Sequence, residues 1–125
     1  MVLLNLASEP RSAAVARRHV RDLPLDEETR EVVSLLVTEL VTNAVRHGSA
    51  DDGASIEVDL AVVDDDLVRV NVVNHGPMFD PTPRERRAPD AEGGMGLHLV
   101  DKLAERWGVE DDGRTSVWLE VRRTV

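Results

Sequence analysis

Val2 to Ala7 is a short apolar run, VLLNLA, and predicts an edge strand. Ser8-Glu9-Pro10 reads as a helix start, with Ser8 as N-cap and Pro10 in the first turn. Ala13, Val15, Ala16, Val20 and Leu23 give that helix one apolar face up to about Leu23, while Arg17, Arg18, His19 and Arg21 form a solvated face. Pro24 breaks the chain and Asp26 caps a long second helix. Glu27 and Glu28 sit at its positive end and Gly48 is its stop. Within it, Leu36, Val37, Leu40, Val41, Ala44 and Val45 make a wide apolar stripe. Ala54 to Val63 and Leu67 to Val73 alternate apolar and polar positions and predict two strands joined by Asp64-Asp65-Asp66, a polar hairpin turn.

After Asn74-His75-Gly76-Pro77 the pattern stops. Pro77, Pro81, Pro83, Pro89 and the run Arg84-Glu85-Arg86-Arg87 cannot build a core element, so residues 77–92 read as a long loop of the kind that serves as a lid. Gly93-Gly94-Met95-Gly96 opens a third helix, expected over Leu97 to Trp107 and stopped by Gly108. Val109 to Asp111 and Thr115 to Val121 predict a closing hairpin around Asp112-Gly113-Arg114, and Trp107 and Trp118 read as packing residues. The order β-α-α-β-β-loop-α-β-β predicts one α+β domain over residues 1–125, a two-layer sandwich rather than a doubly wound sheet.

Composition narrows the partners. Fifteen Lys+Arg against 24 Asp+Glu leave a net charge of −9, a surface that repels nucleic-acid phosphates and predicts no direct nucleic-acid binding. With aromatic content at 2%, no base-stacking platform is present and the core must be aliphatic. There is no cysteine, hence no disulfide frame, thiolate zinc site or thiol nucleophile. No apolar run approaches the roughly 20 residues of a membrane span. MVLLNLASEP has no secretory design, so a cytoplasmic location is expected.

The second helix carries polar residues that helicity does not explain. Thr38, Thr42 and Asn43 are weak helix formers at places where Glu, Lys or Ala would serve better. Glu39, Asn43 and His47 recur at i, i+4 and i+8 and so stay on one side of the helix. A carboxylate and an amide oxygen one turn apart are two hard donors aimed at one volume, which suits Mg²⁺ and its waters; a capped surface helix with an incidental Glu and Asn is the plain alternative. Gly93, Gly94 and Gly96 before a helix can turn bare amides and the positive end of the dipole toward phosphate, although flexible loops are built the same way.

Together, ELVTNAVRHG, a strand ending in NHGP, GGMGLHLV and GRTSVWLEV resemble, in that order, the four boxes of the GHKL ATPase superfamily. Within it the chain looks most like the small bacterial anti-sigma-factor serine/threonine kinases and related stand-alone histidine-kinase-like ATPase domains. The resemblance implies a Bergerat fold, with a mixed, mostly antiparallel sheet, three helices on one face and a nucleotide lid at about residues 77–95. It implies ATP and Mg²⁺ as cofactors, Asn43 as the metal ligand, and Glu39 orienting or deprotonating the attacking hydroxyl or water. Arg46 and His47 fall near the phosphates in relatives; a snorkelling surface arginine and a helix C-terminal dipole partner are the alternatives. Gly94, Met95, Gly96 and Leu97 would offer amides to the phosphates. Thr115 or Ser116 would help hold the base-binding group.

Where relatives carry D-x-G to accept the adenine amine, this chain has Asn74-His75-Gly76. A charge-assisted bond becomes a neutral one about half as strong, a loss on the order of 1 kcal/mol. The amide could also turn its NH₂ toward guanine O6. The resemblance implies an anti-anti-sigma-like antagonist and a sigma factor as partners, with dimerisation left open. The competing expectation is a non-catalytic protein-binding module, nucleotide-gated or nucleotide-free. A detached histidine-kinase half is disfavoured because the short first helix, with His19, makes a poor phospho-acceptor.

Overall fold

The structure is a computed structural model that describes residues 2–47, 55–64, 66–74, 95–111 and 115–122. In chain order these form β1 (Val2–Ala7), α1 (Ser12–His19) with a 3₁₀ turn at Val20–Asp22, α2 (Glu27–His47), β2 (Ser55–Asp64), β3 (Leu67–Asn74), α3 (Met95–Leu103), β4 (Arg106–Asp111) and β5 (Thr115–Arg122). The strands make one five-stranded sheet in the order β1-β2-β3-β5-β4, and all four pairings are antiparallel. β1 is an edge, as its short apolar run predicts. The helices form a second layer: α2 packs on β2, β3 and β5, with α1 on β1 and α3 on β4 to its sides. This is the expected α+β sandwich.

The alternation in β2 and β3 is what builds the core. Register aligns Leu4, Val58, Val72, Val117 and Val109 in one row across the sheet, and Val2, Leu60, Val70, Leu119 and Trp107 in the next. Against those rows α2 sets Val33, Leu36, Val37, Leu40, Val41 and Ala44, none more than 6% exposed. Each such aliphatic side chain contributes roughly 1.5–3 kcal/mol by leaving water. Asp26 caps α2 as its position predicts. Its carboxylate accepts from the Thr29 amide at 3.0 Å and from the Thr29 hydroxyl at 2.6 Å.

Several helix boundaries differ from the pattern-based expectation. Ser8 does not cap α1: the helix begins at Ser12 with Arg11 at the cap position, and a turn at Glu9–Ser12 intervenes. The Ser12 hydroxyl donates to the Ala7 carbonyl at 2.5 Å, tying the helix start to the end of β1. The helix ends at His19, and the 3₁₀ turn carries the chain on.

The third helix ends at Leu103, and Trp107 and Gly108 belong to β4. Side chains across the strand pair decide this. The Glu105 amide donates to the Glu120 carbonyl at 2.7 Å, and Arg106 forks onto the Glu120 carboxylate at 2.6 and 2.9 Å. Gly108 lies opposite Trp118, and a Cβ there would stand 2.9 Å from the indole nitrogen. Gly108 is therefore the floor under an indole, not a helix stop. The expected lid and the glycines Gly48, Gly76, Gly93 and Gly94 lie outside the described residues.

Candidate functional site

The inner face of the sheet changes character at one end. Val68, Val70 and Val72 point into the core at every second position of β3, and the next residue in phase is Asn74, 3% exposed. The Asn74 Nδ2 donates to the Ala44 carbonyl at 3.4 Å. Ala44 is in the last turn of α2, where carbonyls have no partner within the helix, so Asn74 is a tertiary cap for that turn. This bond joins the end of β3 to the residue beside Asn43. It also directs the amide: the NH₂, which could otherwise turn toward guanine O6, donates to Ala44.

Asn43 is 6% exposed and makes no side-chain hydrogen bond with any described residue. One turn earlier on the same side, Glu39 is part-buried and likewise pairs with no described residue. The neighbouring threonine is explained locally, since the Thr38 hydroxyl donates to the Ser34 carbonyl at 2.8 Å. Glu39 and Asn43 are thus two hard oxygen-bearing groups one turn apart on one helix, neither of them paired with a described residue.

The remaining expected site residues are distributed as follows. Arg46 is exposed and has an interaction of its own. His47 is the last residue of α2. Met95, Gly96 and Leu97 form the first turn of α3, where the amides have no intrahelical acceptors, and α3 packs against α2. Thr115 pairs with Asn74 in the register of β3 and β5, whereas Ser116 pairs with Val73. Gly76 and Gly94 lie outside the described residues. α2, the end of β3 and the start of β5 therefore meet at one end of the sandwich, and α3 packs against α2. Asn74's inward position was readable from its phase in the β3 alternation; its bond to Ala44 was not, because it joins residues thirty positions apart.

Residues 5–121 match the family model described as the histidine kinase-like ATPase domain, and the chain belongs to that family, a GHKL ATPase domain. It is similar to the serine-protein kinase RsbW of Listeria monocytogenes serotypes 4a and 4b, at 27% identity over 83% of this chain and 75% of the relative. Its fold is similar to the histidine kinase domain of the Erythrobacter litoralis EL346 blue-light activated histidine kinase, with a TM-score of 0.61 and 22% identity over 89% of this chain. The chain spans 61% of that structure's length. It is also similar to the mycobacterial sensor histidine kinase MprB, with a TM-score of 0.55 and 15% identity over 98% of this chain and 97% of that one. A domain of this family binds ATP. No described helix is long and apolar enough to cross a membrane.

Proposed function

We propose that this chain is an ATP- and Mg²⁺-dependent serine/threonine protein kinase of the anti-sigma type, which phosphorylates a small antagonist protein and otherwise holds a sigma factor. The observation that carries this reading is Asn43, a buried amide with no partner among the described residues, one turn from an equally unpartnered Glu39. The family membership and the similarity to RsbW support it.

The donor set fits a magnesium-bound triphosphate. Asn43 supplies one neutral oxygen, leaving the other positions to phosphate and water, which is how Mg²⁺ is usually held. When bound, the ion neutralises charge that builds on the phosphate oxygens during transfer. The first-turn amides of α3, at Met95, Gly96 and Leu97, hold phosphate oxygens without adding a formal charge. Arg46, His47, Gly76 and Gly94 are assigned to the phosphates and Thr115 to the base on the strength of the family's sequence boxes alone. Glu39 accepts the proton of the substrate hydroxyl as its oxygen bonds to the γ-phosphorus and the bond to ADP breaks.

The test is phosphotransfer from labelled ATP to a serine-bearing antagonist of an RsbW-type kinase. Glu39→Gln keeps the site's size and its nucleotide contacts but removes the base. It is expected to bind ATP as the wild type does and to lose transfer by a factor of about 10²–10⁴. Transfer undiminished in Glu39→Gln would contradict the assignment. Asn74, standing where relatives carry aspartate, favours a second reading, a nucleotide-gated binding module without transfer. That reading predicts no labelled product even from the wild type.

A further inference from the structure

A second feature lies at the opposite end of α2 from Asn43. A groove of about 680 Å³ opens between α1 and the first turns of α2. Arg17, Arg18 and Arg21 form one wall, and Glu27, Arg30 and Glu31 the other. Arg30 and Asn43 are 43 − 30 = 13 residues apart on one helix, roughly 20 Å at 1.5 Å per residue. The groove is therefore separate from the nucleotide end.

Its charge is out of keeping with the rest of the molecule. Four guanidinium groups against two carboxylates give a local excess of two positive charges, in a chain whose net charge is −9. Arg17, Arg18 and Arg21 are exposed, and none of them forms an ion pair with a described residue, although Glu27 and Glu31 share the groove. Arg30 donates through Nη2 to the Leu25 carbonyl at 2.9 Å, while its Nε is buried without an acceptor. Packing like charges together on a small wall is unfavourable unless something else answers them. Guanidinium forks match carboxylates in planar, two-bond geometry.

We propose that this arginine-walled groove is a docking site for an acidic segment of a partner protein. A polypeptide suits the mixed walls: its carboxylates meet the arginines, while Glu27 and Glu31 accept from its amides or hydroxyls. A nucleic acid would meet those two carboxylates and the strongly acidic surface beyond them, and would find no aromatic platform among the groove residues. The inference is independent of the kinase reading, because the groove does not include the nucleotide end.

The experiment uses the full chain without nucleotide and a fluorescein-labelled hexaglutamate peptide, followed by anisotropy. Hexaglutamate is expected to bind, and binding is expected to weaken at least tenfold in R17E/R18E/R21E and to fade as salt rises. The conservative single variants Arg17→Gln and Arg21→Gln should each weaken it several-fold, a readout that stands even if the triple variant folds poorly. Hexalysine should not bind, and inorganic phosphate should not displace the peptide. Failure of hexaglutamate to bind, or equal binding by wild type and variants, overturns the proposal. So does displacement by phosphate alone, which would mark a simple anion site. Self-association of the wild type that the charge reversal abolishes would give the groove to a second copy of this chain and overturn it as well.

Discussion

Asn74 shows how one substitution can carry two opposed consequences. Its Nδ2 satisfies the Ala44 carbonyl in the last turn of α2, and a carboxylate at the same place cannot donate. Asn74→Asp should therefore lose that bond, worth about 0.5–1.5 kcal/mol, and add an unfavourable charge near the negative end of the helix dipole, at about 0.3–1 kcal/mol. The same variant should bind ATP several-fold more tightly, because a charged acceptor for the adenine amine is about twice as strong as a neutral one. Urea unfolding and ATP titration of one preparation test both halves. A variant that gains stability contradicts the capping role. In the wild type the engaged NH₂ also predicts that ATP outcompetes GTP. Competition by GTP at equal strength would show the amide turned the other way.

At the scale of elements, the sheet and α2 were legible because one period dominates each. The alternation of Ile56, Val58 and Leu60 and the stripe Leu36, Val37, Leu40, Val41 and Ala44 admit a single interpretation, and the structure buries every one of these residues. The end of α3 was not legible, for a definite reason. Trp107 falls three residues after Ala104 and four after Leu103, so it suits a helix; it also falls two before Val109, so it suits a strand. Contacts distant in sequence decide for the strand, chiefly Arg106 on Glu120 and the close approach of Trp118 to Gly108. Gly108→Ala should then destabilise the protein by about 1–3 kcal/mol through overpacking. The cost should shrink in a Trp118→Ala background, where the ring is gone. Equal costs in both backgrounds, measured by denaturant unfolding, would show that Gly108 is needed for its backbone and not for the space above it.

Across the whole molecule, the two ends of α2 carry different groups. The C-terminal end, joined to β3 through Asn74, carries Glu39 and Asn43, neither of which pairs with a described residue. The N-terminal end presents the basic groove. The first end was largely visible in the sequence, because residues four apart on a helix are neighbours whatever the rest of the chain does. The groove was not, since Arg30 joins Arg17 and Arg21 only through the packing of α1 on α2, and a basic run on one helix ordinarily reads as a solvated face. In the proposed function Asn43, which has no partner among the described residues, is satisfied by a metal-bound nucleotide. Calorimetric titration of ATP, with and without Mg²⁺, into the wild type and Asn43→Ala tests this most directly. The expected result is ATP binding that Mg²⁺ strengthens in the wild type, with the Mg²⁺-dependent part lost in Asn43→Ala while the fold is kept. Identical Mg²⁺ dependence in the two proteins, or no heat of binding in either, would contradict it.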